Sequence, residues 1–250
     1  MRILVTNDDG IESEGLHVLS RRLTEVGDVT VFCPSTNRSG AGAAIGHIAA
    51  GLPDVIAEDR YDLGGVDAAY HFDGPPALAT ILACKGLVGP GPDLVVSGIN
   101  PGWNVGHSVH FSGTVGACVA AGVFGVPSLA VSQAAAGAGE RQLWDTAADV
   151  AALLVDELVA APRSLDAPRL LNVNVPNLPP HELRGREYTT LAPRLPYSLD
   201  APTLTHKGDR LYAADFVRFA PFESPPGSDT NAVERGYVSI TPLTSTRASR

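Results

Sequence analysis

The chain has 250 residues and a mass of 26.0 kDa, with 44% hydrophobic content, a formal net charge of -9 and an isoelectric point near 5.2. That content supplies a core for one large domain, or one domain with an appended arm, and excludes a disordered chain. The acidic balance excludes a nucleic-acid duplex as partner, which needs a basic face, and makes an anionic substrate hard to attract unless a metal or local N–H groups invert the field.

The apolar run Ile3-Leu4-Val5 predicts a strand over Arg2–Thr6, and Leu16, Leu19 and Leu23 recur at helical spacing within a helix over Glu14–Glu25. Asp28–Cys33 reads as a second strand, stopped by Pro34 and followed by a small-residue loop from Ser35 to Gly46 and a weakly patterned stretch, Ile48–Asp73. Next come a helix over Pro76–Gly86, a strand over Asp93–Ser97, a loop over Gly98–Ser112 and a helix over Thr114–Val123. A strand over Ser128–Ser132, a link over Ala134–Gly139, a long amphipathic helix over Leu143–Ala160 and a strand over Leu170–Val175 complete the series. Alternating strands and helices predict an α/β fold: a Rossmann-like, mostly parallel sheet with helices on both faces.

Beyond Pro176 prolines become frequent, and Arg186–Thr190, Leu211–Phe219 and Tyr237–Thr241 read as strands without long helices between them. The division expected is a Rossmann-like domain over 1–176 and a β-rich C-terminal arm with a return strand over 177–250, able to pair with a second copy of the chain. Tyr188, Tyr212, Phe216, Phe219 and Tyr237 give that arm side chains that need somewhere to pack. The N-terminus enters a strand at once, and the apolar stretch Val115–Val131 is broken by Gly116, Gly122, Gly125 and Pro127, so neither a signal segment nor a membrane span is expected. Cys33, Cys84 and Cys118 show no metal or redox spacing and read as buried free thiols, which implies a reducing, cytoplasmic location.

Asp8 and Asp9 follow the first strand, and in an open α/β sheet ligands bind at the carboxyl ends of the strands. Two carboxylates ~4 Å apart repel by roughly 4 kcal/mol at an effective dielectric near 20. A raised pKa or a bound cation would offset that cost; the alternative is one Asp capping the helix and the other facing water. Polar, Gly-rich loops recur at Asn7-Asp8-Asp9-Gly10, Asn37-Arg38-Ser39-Gly40, Ser97-Gly98-Ile99-Asn100 and Ser112-Gly113-Thr114. Carboxylate, hydroxyl and amide oxygens from the first three suit a hard cation such as Mg2+ or Mn2+ and do not suit zinc. The fourth opens a helix, so it reads either as an anion site or as an ordinary N-cap.

These stretches, with Gly102, Asn104 and Gly106, Val115-Gly116, Val126-Pro-Ser128, Leu171-Asn-Val-Asn-Val-Pro176, Ser228-Asp-Thr230, Gly236-Tyr237 and Thr241-Pro-Leu243, span nearly the whole chain. In that order they resemble the SurE survival-protein family, divalent-metal-dependent phosphatases acting on nucleoside monophosphates. The resemblance implies one metal ion per subunit held by Asp8, Asp9, Ser39 and Asn100; in a mechanism built on that ion Asp8 or Asp9 is also the candidate general base, a weak one on a metal. It implies phosphate contacts at Asn7, Asn104, Ser112, Gly113 and Thr114, a nucleoside monophosphate as substrate, and a homodimer or homotetramer built through the arm. His107 and His110 lie in the right loop for acid–base work, with solvated surface histidines as the alternative.

The chain also departs from the family pattern. Pro75-Pro76-Ala77-Leu78-Ala79 stands where members carry Thr-Pro-Ala-Asp-Cys, Ala41–His47 replaces a polar stretch, and Phe111 stands where Tyr is common. A phosphatase for another small phosphate ester, or a non-catalytic nucleotide-binding protein, is the alternative these changes raise. Gly40-x-Gly42-x-x-x-Gly46 lacks the spacing of a dinucleotide loop, and neither Ser39 nor Ser112 sits in a Gly-x-Ser-x-Gly elbow.

Overall fold

The computed structural model describes residues 1–46, 51–59, 61, 63–160, 170–195, 198–218 and 223–244. In chain order its elements are β1 (Arg2–Thr6), α1 (Glu14–Leu23), β2 (Asp28–Pro34), β3 (Val55–Ala57), β4 (Ala68–Phe72), α2 (Pro76–Cys84), β5 (Leu94–Pro101) and α3 (Gly113–Val123). They continue as β6 (Ser128–Gln133), α4 (Trp144–Ala160), β7 (Leu170–Val175), β8 (Arg186–Tyr188), β9 (Ser198–Gly208), β10 (Leu211–Arg218), α5 (Asp229–Glu234) and β11 (Val238–Leu243).

Among the described residues, nine strands form one sheet in the order β3-β4-β2-β1-β5-β6-β7-β11-β8. The pairs from β4 through β7 are parallel, while β3 on β4 and β11 on β7 are antiparallel. Alternation along β1 sorts the core. Ile3 and Val5 join Leu16, Leu19, Leu23, Leu154 and Val155 in one cluster, whereas Leu4 joins Phe32, Phe72, Leu78 and Ala121 in another. Thus α1 and α4 cover one face and α2 and α3 the other, as period-2 strands buried on both sides require.

Local rules explain the helices. α1 has its buried leucine stripe, Glu14 in its first turn and Arg21 and Arg22 in its last, each complementing the helix dipole. α2 starts with Pro76 at a position that tolerates a missing N–H. In α3, Gly116 lets the helix touch the backbone of Gly42, where a side chain would collide with the Gly42 carbonyl.

Several boundaries differ from the sequence reading. Helices α1 and α2 stop at Leu23 and Cys84, short of Glu25 and Gly86. β5 continues past Ser97 to Pro101, so Asn100 lies on a strand end rather than in the following loop. The stretch before Asp73 hides β3 and β4, β9 precedes β10, and α5 is a further short helix. The expected strand end at Phe219, and the part of the weakly patterned stretch at Ile48–Ala50, lie outside the described residues. Beyond Pro176, β8 and β11 join the main sheet, and β9 and β10 form a separate two-stranded ladder. Cys33 and Cys118 are buried but Cys84 is only half-buried; the three are free thiols.

Candidate active site

From β1 the chain builds outward through β2 to β4; from β5 it builds the other way through β6 to β7. The strand order therefore reverses between β1 and β5, and the crevice at the carboxyl ends of these two strands is the ligand position of an open α/β sheet. Parallel pairing of β1 with both β2 and β5 brings the loops after Thr6 and Pro34, and the end of β5, to one edge.

Asp8 is buried at the start of α3. Thr114 Oγ1 donates to Asp8 Oδ1 at 2.7 Å, and the backbone N–H groups of Gly113 and Thr114 also favour its carboxylate. Burial outweighs these donors and raises the Asp8 pKa above the ordinary carboxylate value. Gly113 is required by this approach, because a Cβ there would lie 2.6 Å from Asp8 Cβ and 2.7 Å from its Oδ2. Asp9 has fewer partners: Asn37 Nδ2 donates to Oδ1 at 3.5 Å, and Oδ2 is buried with no partner. Burial, with the adjacent Asp8 charge, pushes Asp9 up to about 7.

The second loop is tied to the first. The Arg38 N–H donates to the Asp8 carbonyl at 2.6 Å, and Asn37 Oδ1 accepts from the Ser39 N–H at 2.8 Å, leaving Ser39 exposed. Arg38 pairs with Asp73 through Nη2 while its buried Nε has no partner. On β5, Asn100 Nδ2 donates to the Gly102 carbonyl at 2.8 Å, which directs the amide oxygen away from that bond.

The residues expected to touch phosphate divide differently. Asn7 closes its own turn: Nδ2 donates to the Gly10 carbonyl and Oδ1 accepts from the Gly10 N–H, at 3.1 and 3.2 Å. Ser112 caps α3, accepting from the Val115 N–H at 3.1 Å, and the Thr114 hydroxyl serves Asp8. At the N-terminus of α3 the anion gripped is therefore the Asp8 carboxylate itself. Asn104 is knotted into the scaffold: its N–H donates to Asn174 Oδ1, its carbonyl accepts from Asn172 and Asn174, and its Nδ2 donates to Ser132 Oγ, all at 2.8–3.0 Å. His107 and His110 sit exposed on the 3-10 turn Gly106–His110, their rings 6.2 Å apart.

Sequence reasoning assigned no role to Asn37, Arg38, Asn172, Asn174 or Asp229. Asp229 is fully buried and accepts from the N–H groups of Gly106, Ala192 and Thr230 at 2.8–2.9 Å, fastening the C-terminal segment to the turn after Asn104. The only early signal for it was its place in Ser228-Asp-Thr230.

Among the described residues, the buried polar side-chain atoms without a partner are Thr6 Oγ1, Asp9 Oδ2, Arg38 Nε, Ser97 Oγ, Trp103 Nε1, Asn172 Oδ1 and Ser224 Oγ. Thr6, Asp9, Arg38 and Trp103 lie at the end of β1 or in loops of this edge, while Ser97 and Asn172 lie within β5 and β7; buried groups left unpaired mark a place completed by something else. A cation fits the Asp9 oxygen, because it supplies the missing partner and lowers the charge repulsion together. The remaining donors, oxygens of Asp8, Ser39 and Asn100, are of the hard type. No group of three or more His, Cys, Asp or Glu that could hold a metal occurs among the described residues.

The departures have visible consequences. Pro75 stands at the α2 N-cap without a capping side chain, and Leu78 is buried in the apolar cluster under α2. The loop Ala41–Gly46 lies against the start of α3, the Gly42 N–H donating to the Phe111 carbonyl, while the Phe111 side chain is exposed; His47 lies outside the described residues. Gly40 and Gly42 open no helix among the described residues, and the four residues after Gly46 lie outside them.

The family model described as survival protein SurE matches residues 3–196. The 5'-nucleotidase SurE of Aeromonas hydrophila subsp. hydrophila is 38% identical, the match covering 98% of this chain and 92% of that one. The 5'/3'-nucleotidase SurE of Shigella dysenteriae serotype 1 is 37% identical, over 97% of this chain and 90% of its own. The crystal structure of the SurE protein from Aquifex aeolicus superposes with a TM-score of 0.77 at 29% identity, over 100% of this chain and 95% of that one.

Proposed function

This chain belongs to the SurE survival-protein family, and from that premise we propose that it is a phosphoric monoester hydrolase cleaving nucleoside monophosphates to nucleoside and phosphate. The observation that carries the reading is the pair Asp8 and Asp9 at the reversal of strand order, one carboxylate gripped by α3 and the other with an oxygen left unpartnered.

Asp8, Asp9, Ser39 and Asn100 would hold one divalent ion per subunit, Mg2+ or Mn2+. When bound, such an ion polarises a phosphoryl oxygen and acidifies a water ligand. Each residue has a definable share of the work. Thr114 and the first turn of α3 orient Asp8. Asp9 presents an unpaired oxygen that takes up a cation or a proton. Arg38 offers its unpartnered Nε, and Trp103 its indole N–H, as donors to phosphate oxygens. Beside them the Ser112 hydroxyl, which accepts from the Val115 N–H and keeps its own proton free, would also donate to the transferred group, while the Thr114 proton is spent on Asp8. Asn7 and Asn104 act by fixing the loops around it.

The β9–β10 ladder carries Leu204, Leu211 and Tyr212 exposed, as an arm docking on a second copy would, and this supports a homodimer or homotetramer. Free thiols support a cytoplasmic location; among the described residues, no helix is long and apolar enough to cross a membrane.

The test is phosphate release from a panel of 5'- and 3'-nucleoside monophosphates, p-nitrophenyl phosphate and other small phosphate esters, with Mn2+, Mg2+ or EDTA. Metal-dependent release from nucleotides is expected. Release only from other esters would redirect the substrate assignment to a different class, one the apolar start of α2 would suit. No release from any ester would overturn the reading.

A further inference from the structure

A buried polar cluster lies beside the site. His71 on β4 is 7% exposed, its Nδ1 2.7 Å from Ser35 Oγ and its Nε2 3.4 Å from Glu58 Oε2. The Glu58 side chain is 1% exposed, and its backbone N–H donates to the Ala69 carbonyl on β4. The Ser35 N–H donates to the Phe72 carbonyl at 2.8 Å, and Arg38 pairs with Asp73 just past β4. The segment bearing Asn37 and Ser39 is thus pinned to the end of β4 on both sides.

A neutral imidazole has a single N–H. In the tautomer that carries the proton on Nε2, facing Glu58, Nδ1 is the acceptor and the Ser35 hydroxyl the donor. Burying a carboxylate and an imidazole here costs desolvation that an apolar pair of similar volume would avoid, so stability alone does not account for the cluster. We propose that Glu58, His71 and Ser35 form a positioning relay that sets the Asn37–Ser39 loop for the cation. His71 touches neither the ion nor the substrate; it acts through Ser35. The inference rests on the cation reading given above.

The experiment compares the parent chain with Ser35→Ala, Ser35→Thr and Glu58→Gln. Direct Mn2+ binding is followed by electron paramagnetic resonance, and folding by thermal melting. Supporting groups behind a metal ligand are worth about 10- to 100-fold in affinity. Ser35→Ala should weaken Mn2+ about tenfold, raising the Mn2+ needed for half-maximal phosphate release by the same factor. Ser35→Thr, which keeps the hydroxyl, should restore both. Glu58→Gln, which disturbs the relay at its far end, should fall between parent and Ser35→Ala. A Ser35→Ala chain that binds Mn2+ as tightly as the parent overturns the relay alone, as does a Ser35→Thr chain no better than Ser35→Ala. A parent chain that binds no Mn2+ overturns the cation reading and the relay with it.

Discussion

Two hydrogen-bonded knots sit side by side at the carboxyl edge of the sheet, and they are finished to different degrees. Around Asn104, the side chains of Asn172, Asn174, Ser132 and Asp229 use up nearly every backbone and amide group, leaving a neutral amide oxygen of Asn172 over. Around Asp9, a carboxylate oxygen and a guanidinium nitrogen are left without partners in buried surroundings. An unpaired buried charge is far costlier than an unpaired amide. A closed knot is scaffold, and an open one is where binding energy is still to be gained.

That contrast can be broken by mutation. Asp9→Asn removes the open carboxylate and should lower metal-dependent phosphate release by about a thousandfold, equivalent to about 4 kcal/mol of transition-state stabilisation, with unchanged circular dichroism. Retained turnover would put the chemistry elsewhere. Asp229→Ala strikes the closed knot instead. It strands the N–H groups of Gly106, Ala192 and Thr230, and should cost about 3 kcal/mol of stability by urea unfolding. Any loss of activity at low temperature should be small beside that. Gly113→Ala lies between the two, since its Cβ must push Asp8 out of its cradle. About 2 kcal/mol of strain and a loss of Mn2+ affinity are expected together; strain without the affinity loss would show that Asp8 is not a ligand.

The carboxylates of the open knot and Asn104 of the closed one were legible in the chain; Asn37, Arg38 and the side chains that close around Asn104 were not. Ile3-Leu4-Val5 and Leu94-Val95-Val96 are runs buried on both faces, so β1 and β5, and hence the loops beyond them, announce themselves. β4 was missed because Ala68-Ala69-Tyr70-His71-Phe72 mixes small and polar residues, and β3 because its three residues form an exposed edge. β9, with Asp200, Pro202 and Lys207, carries no strand pattern until β10 lies beside it. Asp229 and Asn104 are separated by 125 positions, and no local pattern shows that a buried aspartate will reach the turn after Asn104. The same holds at the start of α3: a helix N-terminus reads as an anion site, but nothing local shows that the Asp8 carboxylate, whose hydroxyl partner Thr114 is 106 residues away, will sit there.

The finest distinction between the knots is electrostatic, and pH separates it. Asp9 titrates at about 7 in the folded chain and near the ordinary 3.8 when unfolded. Between these values the native state holds a proton that the unfolded state has released, so stability falls as pH rises and levels off above about 7. In metal-free protein the Asp9→Asn chain should therefore be the more stable one at pH 8. After discounting for partial solvent screening, the gain is about 1–2 kcal/mol, and it should fade as the pH approaches 4. Saturating Mn2+ should reverse the order at pH 8, because only the parent then gains from binding. Equal urea midpoints for the two metal-free chains across this range would show that the Asp9 oxygen carries no unmet charge, and the contrast between the knots would reduce to geometry.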